Sequence, residues 1–295
     1  MTINSDSLPL VSVVIPFYSK VDWLIDALDS IIIQEYAALE VIVVDDGSAY
    51  EKELAAALND KNYPLKIKVI RKKNGGPAAA RNRGMIEAHG KYIAFMDSDD
   101  IWLSGKLKTQ ISLLEKSNNE WSQHSYYYFY ENGNKKYINT GFYAGDTLLR
   151  DSFVSLKIQT STVVVRSDAV KSKGRLKISF PENQRFGQDI GFYRQLSGKG
   201  LDSIKTPLSL FRLRKGNAGF RAEVQIMSKA NGYQYLLAHN TIQISRTIKI
   251  LYKIFDLENT LLKMINGNES IAKILYVIPY LLLKFEGKKI KVFKK

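Results

Sequence analysis

KYIAFMDSDDIW, residues 91–102, decides how the rest of the chain is read. Tyr92 to Met96 is a short apolar run with aromatics, the composition of a buried strand. It breaks off at Asp97, Asp99 and Asp100, three carboxylates within four positions. A strand ending in clustered Asp aims acceptor-only oxygens into the crevice beyond the sheet's carboxyl edge, where open α/β sheets bind ligands. Hard oxygen ligands on so short a segment cannot enclose a cation. A metal held there would keep positions for water and substrate phosphates. The same residues would equally form a polar loop capping the next helix, and this segment alone does not separate the two readings.

Working upstream, residues 10–17 (LVSVVIPF) read as a buried parallel strand, ended by Pro16. Trp23, Leu24, Ala27, Leu28 and Ile31 then fall on one helical face, with Ser19 as the expected N-cap. Residues 39–44 (LEVIVV) form a second strand that turns at Asp45-Asp46-Gly47-Ser48. A helix over 50–58 and a strand over 67–70 follow. Asn74-Gly75-Gly76-Pro77 puts proline at the first position of a helix over 78–89. This βα alternation predicts a doubly wound parallel sheet. Downstream the pattern changes. Leu107, Ile111 and Leu114 mark a helix, 122–130 (SQHSYYYFY) an aromatic strand, and 131–134 a hairpin turn with return at 135–138. Strands are expected at 160–166 and 208–213, a helix at 188–196, and helical periods from 221 onward. The second half therefore reads as mixed, with antiparallel additions.

In a parallel sheet the ends of successive strands share one edge. Pro16-Phe17-Tyr18, Asp45-Asp46 and Asp97 should therefore converge. That combination suits a nucleotide: a ring to stack on the base, carboxylates for base and ribose, and a metal for a diphosphate. An Asx turn before Gly47 is the plainer reading of Asp46. The loop at 74–84 (NGGPAAARNRG) has neither the lysine of a GxxxxGKS/T loop nor GxGxxG spacing. Gly75 and Gly76 offer close backbone approach, and Arg81 reaches either a phosphate or a carboxylate.

Composition sets outer bounds. The chain has 295 residues, 45% hydrophobic, with 43 basic and 29 acidic side chains and a formal charge of +14. A basic surface suits nucleic acid, anionic lipid or phosphorylated substrates alike. The absence of cysteine excludes thiolate metal sites and nucleophiles and fits a reducing compartment. Neither a secretory signal nor an apolar run of membrane-spanning length is evident, so a cytoplasmic protein is expected.

VSVVIPFYS (11–19), VIVVDDGS (41–48), NGGPAAARNRG (74–84) and YIAFMDSDDIW (92–102), in this order and spacing, resemble the nucleotide-binding half of the family 2 glycosyltransferases. These are inverting enzymes of the GT-A fold, bacterial surface-polysaccharide synthesis among their roles. The resemblance is strong over residues 8–115 and returns at FPENQRFGQD (180–189). It implies an α/β fold with a GT-A-type, Rossmann-like mixed sheet flanked by helices over 1–220. Residues 8–115 would be the nucleotide-binding half and 116–220 the acceptor half, ahead of a helical region over 221–295. It further implies that Tyr18 packs on uracil, Asp46 bonds its edge, Asp97 faces the ribose or a metal-bound water, and Asp99 ligates Mn²⁺ or Mg²⁺. Pro16, Asn74, Gly76, Arg81 and Ser98 would line the nucleotide site, and Asp189 would be the general base. One base without a carboxylate nucleophile implies single displacement. The expected enzyme is a hexosyl- or N-acetylhexosaminyltransferase moving one sugar from a UDP-sugar to a saccharide acceptor, a lipid-linked one in view of the pathway.

Two positions depart from the family pattern. Gln188 stands before Asp189 where a Glu is usual, and the last strand offers Arg214 as a candidate diphosphate contact where a His is frequent. A UDP-binding, inactive paralogue and a basic nucleic-acid binder are the rival readings, although no nucleic-acid partner is expected. Finally, residues 271–285 (IAKILYVIPYLLLKF) are apolar with lysines at the margins, and 287–295 are basic. Interrupted by Lys273 and Pro279, this tail is too short to span a bilayer. It suits an interfacial helix on an anionic membrane surface, which places the protein peripherally at the inner face of the cell membrane.

Overall fold

The computed structural model describes residues 8–141, 143, 147–214, 217, 221–238, 242–243, 246–264, 268–286 and 291–292. The chain divides into two compact units, one of residues 1–142, 157–182 and 199–213, the other of 143–156, 183–198 and 214–295.

The first unit opens with β1 (Val11–Phe17), α1 (Val21–Ile32), β2 (Leu39–Asp45), α2 (Glu51–Lys61), β3 (Lys66–Arg71), α3 (Gly76–Glu87) and β4 (Tyr92–Phe95). Then come β5 (Ile101–Trp102), α4 (Lys106–Lys116), β6 (Trp121–Tyr130) and β7 (Lys135–Ile138). After α5 (Thr147–Val154), which belongs to the second unit, follow β8 (Val164–Arg166), α6 (Ser167–Val170) and the hairpin β9 (Lys171–Ser172) with β10 (Arg175–Leu176). The helix α7 (Gln188–Leu196) is again second-unit, and β11 (Leu201–Leu213) completes the first. The main sheet runs β3-β2-β1-β4-β8-β6-β11-β5, with β7 paired to β6. Its β3-β2-β1-β4 part is parallel, as the βα alternation requires. β8 lies antiparallel between β4 and β6, which makes the whole sheet mixed, as expected.

β1 and β2 are buried on both faces, which accounts for their nearly unbroken apolar sequences. Pro16 stays in register with Val44 of β2, while the pairing of β1 to β4 ends at Val14. A Cβ on Gly84 would come within 2.3 Å of the Val14 side chain, so this glycine lets α3 lie directly on β1. The polar residue preceding α1 differs from expectation. Lys20, with φ 67°, occupies the N-cap position rather than Ser19, and it supplies no side-chain cap. Residues 160–166 also split, into a 3-10 turn at Thr160–Thr162 and the short β8. Of the aromatic run, Tyr126 and Tyr128 cluster with Phe211 of β11, while Tyr127 meets Tyr137 of β7 edge-on.

In the second unit, α8 (Ala222–Ala238), α9 (Arg246–Met264) and α10 (Glu269–Glu286) follow α5 and α7. Two short strands, β12 (Ile242–Gln243) and β13 (Lys291–Val292), pair antiparallel. Phe153, Ile226, Tyr252, Phe255, Ala272 and Leu283 share one core. The last carbonyls of α5 need donors that the helix cannot supply. Lys229 Nζ gives them to Phe153 O (3.1 Å) and Val154 O (2.5 Å), and the Tyr252 hydroxyl also donates to Phe153 O.

Glu258, buried on α9, has no hydrogen-bond partner for its Oε2 among the described residues. Burial pushes its carboxyl from 4.5 up to about 7. Between those values the folded protein binds more protons than the unfolded chain, so this group makes stability fall as pH rises through 4.5 to 7. Glu258→Gln should remove that loss and stabilise the protein above pH 7 by on the order of 2–3 kcal/mol. Urea unfolding at pH 5 and pH 8 measures it, and the gain should be confined to the higher pH.

Candidate active site

The parallel strands of the first unit end where the sequence placed its carboxylates, and each is held by a specific partner. Asp45 Oδ1 accepts from Ser48 N (2.8 Å), closing the turn at Gly47, and its Oδ2 pairs with Arg71 (2.6 Å). The turn-closing role expected for Asp46 therefore falls to Asp45. Asp46 instead reaches the N-terminus of α3, accepting from Gly75 N (2.9 Å), Gly76 N (2.7 Å) and Lys72 Nζ (2.7 Å). A carboxylate is favoured there by the positive end of the helix and by the otherwise unpaired first amides. Gly47 permits this approach: with φ +72° and the Asn74 amide 2.9 Å from where its Cβ would stand, a side chain would not fit. Tyr18, just past β1, is 55% exposed, so its ring is available for stacking. Asn74 and Gly75, just before α3, are exposed.

The loop after β4 carries the second acidic group. Asp97 accepts from Arg81 NH2 at 2.5 Å, and that guanidinium lies over the Phe180 ring at 5.3 Å. Of the two readings of Arg81, the structure shows the carboxylate partner. Ser161 ties the loop together: its hydroxyl accepts from Asp97 N (3.0 Å) and donates to Asp100 Oδ2 (2.5 Å), while its carbonyl accepts from Trp102 Nε1 (2.9 Å). Asp100 is fully buried. Burial first, then the charges of Asp99 and Asp97, push its carboxyl well above the ordinary range. Arg212 of β11 closes the other side, donating from N to Asp100 Oδ1 (3.2 Å), from Nε to Asp99 O (3.0 Å), and from NH2 to Asp26 (3.0 Å). Its guanidinium sits 5.2 Å from the Trp23 ring and 5.7 Å from that of Phe129. Ser98 and Asp99 remain partly exposed on this loop.

Whether these residues suit a divalent cation follows from the donor set. Among the described residues no three His, Asp or Glu side chains gather into a metal-holding group. Mn²⁺ or Mg²⁺ shared with a diphosphate needs only one or two protein carboxylates, the rest of its shell being water and phosphate. The loop offers two partly exposed carboxylates of that kind, Asp99 and Asp97, of which Asp97 is already paired with Arg81.

Asn82 was not singled out by the sequence and clamps a distant segment. Its Nδ2 donates to Phe180 O and Glu182 Oε1 (both 2.8 Å), and its Oδ1 accepts from Phe180 N (2.8 Å). Within the second unit, Asp189 lies in the first turn of α7. The segment entering that helix is fixed by Gln188 Nε2 donating to Gln184 O (2.6 Å) and Asn231 Nδ2 to Phe186 O (2.9 Å). Gln188 is thus engaged in shaping its own turn. Arg214 is also in this unit, exposed, its amide donating to Asn217 Oδ1 (2.6 Å).

A parallel sheet edge that meets a helix N-terminus, extended by antiparallel strands beyond an acidic loop, is the architecture of the GT-A glycosyltransferases. Residues 12–170 match the family model of glycosyl transferase family 2, and the chain belongs to that family. An uncharacterised glycosyltransferase of Rickettsia felis is 33% identical over 217 residues, 71% of this chain. The chain spans about a third of that relative's length, 34%. WfaP of Escherichia coli, a UDP-Glc:α-D-GlcNAc-diphosphoundecaprenol β-1,3-glucosyltransferase, is 27% identical over 75% of this chain and 84% of its own. Among solved structures, a mannosyltransferase of Pyrobaculum calidifontis in complex with GDP-Man and Mn²⁺ superposes with a TM-score of 0.58 at 16% identity, covering 96% of this chain and 85% of that one.

Proposed function

We propose that the protein transfers a single sugar from a UDP-sugar to a saccharide acceptor, lipid-linked, with inversion at the anomeric carbon. The observation that carries this is the shared sheet edge of the first unit, where exposed Tyr18, helix-bound Asp46 and the Asp97–Asp100 loop stand at the ends of neighbouring parallel strands. The donor class is supported by WfaP, which uses UDP-Glc and a diphosphoundecaprenol-linked acceptor. In this reading Tyr18 stacks on the base, and Asp46 bonds its edge through the acceptor capacity left by Gly75, Gly76 and Lys72. Pro16, Asn74, Gly76 and Ser98 line the nucleotide, and Arg214 contacts the diphosphate. Arg81 holds Asp97 toward the ribose. A divalent cation held by Asp99, with Asp97, would stabilise the charge that builds on the leaving diphosphate. Asp189 takes the proton of the acceptor hydroxyl as its oxygen bonds to the anomeric carbon and the bond to the diphosphate breaks on the opposite face. The protein works at the cytoplasmic face of the membrane that carries its acceptor.

The experiment is a panel of UDP-, GDP- and TDP-sugars, each with and without Mn²⁺, read by thermal shift and by release of the nucleoside diphosphate. Stabilisation and hydrolysis by one UDP-sugar, dependent on the cation, is the expected result. Preference for a GDP-sugar would overturn the uracil assignment. Binding of UDP without turnover on any lipid-linked saccharide would favour the inactive paralogue, the reading that Gln188 and its local bond to Gln184 suggest.

A further inference from the structure

The C-terminal helices carry a surface pattern that catalysis does not use. On α9 one face fills the core through Ile248, Leu251, Tyr252, Phe255 and Leu262. A second set of apolar residues stays in solvent: Ile250 (51% exposed), Leu257 (61%), Leu261 (43%) and Met264 (77%). Steps of seven, four and three residues keep that set on one line of the helix, so α9 has two apolar stripes where a surface helix needs one. On α10 the buried residues are Ala272, Pro279 and Leu283, and Ile274 (75%), Ile278 (67%), Leu281 (58%) and Phe285 (73%) form the exposed face. Scattered apolar side chains on a surface need no explanation, whereas aligned stripes on two adjoining helices mark an interaction surface.

The charges identify the partner. By helical spacing Lys249, Lys253 and Lys263, with Asp256 among them, lie to one side of the α9 stripe, and Lys273 and Lys284 lie to one side of the α10 face. Lys273 also pairs with Glu269 at 2.8 Å. Beyond Glu286 the sequence adds five more lysines and no acid. A second copy of this chain would bring lysine against lysine, since paired helices need flanks of opposite sign. Lipid phosphates offer that opposite sign, and long lysine stems reach them while the apolar stripes enter the acyl boundary. None of the described helices is long and apolar enough to cross a membrane, which leaves an in-plane arrangement.

We propose that α9 and α10 together form a two-helix face that lies in the surface of an anionic membrane, with the outer stripe of α9 as necessary as the tail. This rests on the peripheral reading given above for the partner and is independent of donor and reaction. The test is co-sedimentation of the full chain with vesicles of phosphatidylcholine containing phosphatidylglycerol, against phosphatidylcholine alone. Binding to the anionic vesicles should fall at least tenfold on neutral ones or in 1 M salt. Leu257→Asp with Leu261→Asp, which leaves residues 265–295 untouched, should weaken it by about a hundredfold, because each lost leucine burial is worth about tenfold. Ile274→Asp with Ile278→Asp should do the same. Melting temperature and donor hydrolysis in solution should be unchanged in both, and the Leu257→Ser and Leu261→Ser pair repeats the test should the Asp pair misfold. Wild-type binding by the α9 variants would overturn the two-helix face in favour of the tail alone. Indifference to anionic vesicles, with a dimer in solution that the α9 variants dissociate, would assign the face to a second copy. Vesicle binding without any donor turnover would remove the proposed reaction and leave the face standing.

Discussion

Asp189→Asn is expected to retain UDP-sugar binding and to lower transfer by roughly 10²–10⁴-fold, the range over which a positioned general base acts. The substitution keeps the size and hydrogen-bonding shape of the side chain and removes only its capacity to accept a proton. The environment favours a clean result. Asp189 lies in the first turn of α7, where Gln188 and Asn231 fix the entering backbone through Gln184 O and Phe186 O. Gly187, with φ +75° and Ser228 Oγ 2.6 Å from where a Cβ would stand, fixes it further. These contacts are made by groups other than the Asp189 carboxylate and remain in Asp189→Asn. A carboxylate near a helix N-terminus contributes about 0.3–1 kcal/mol to stability, which sets the size of the change in melting to expect. The decisive measurement is single-turnover transfer against donor affinity in the same preparation. A kcat within a fewfold of wild type would move the base elsewhere, and Glu182, held by Asn82 at 2.8 Å, would then be the residue to replace.

The first hundred residues were legible because one physical pattern repeats in them. Apolar runs such as LEVIVV can only be buried strands, and their acidic ends then share an edge by the geometry of parallel sheets. The helix over Gln188–Leu196 was read with the same bounds that the structure shows. What escaped had no local signature. β5 is two residues long and takes its identity from pairing with β11, more than a hundred positions away. Ser161 and Arg212 look unremarkable in sequence, yet they secure Asp97, Asp99 and Asp100 through bonds spanning 61 to 113 positions. Lys72 carries no distinguishing signal in the sequence, although its ammonium is one of three donors to Asp46. Short polar residues become meaningful once the fold has decided what stands opposite them. For the same reason the Asx turn considered for Asp46 is made by Asp45: only the position of α3 decides which carboxylate is drawn to its N-terminus.

Asp99→Ala is expected to abolish the dependence of UDP binding on Mn²⁺. Three carboxylates occupy the loop, and the structure separates them by partner. Asp97 pairs with Arg81 at 2.5 Å, and Asp100 is buried against Ser161 and the Arg212 amide. For Asp99 the Arg212 contact is to the main-chain oxygen, which fixes the backbone of the residue that the metal assignment needs. A cation bridging a carboxylate and a diphosphate contributes several kcal/mol, so UDP affinity in saturating Mn²⁺ should fall about a hundredfold or more. Affinity without the cation should change little, because Tyr18 and Asp46 stand on other strands. Calorimetry of UDP at a series of Mn²⁺ concentrations reads both quantities, with circular dichroism to verify folding. Arg81→Met supplies the complementary arm. It releases Asp97 from its ion pair, and in the double variant with Asp99→Ala a partial return of Mn²⁺ dependence should appear. Unchanged affinity in Asp99→Ala, with the protein folded, would remove Asp99 from the metal and with it the cation-assisted departure of the diphosphate. The charge on that leaving group would then have to be met by arginines, and Arg214, the proposed diphosphate contact, would be the first to substitute.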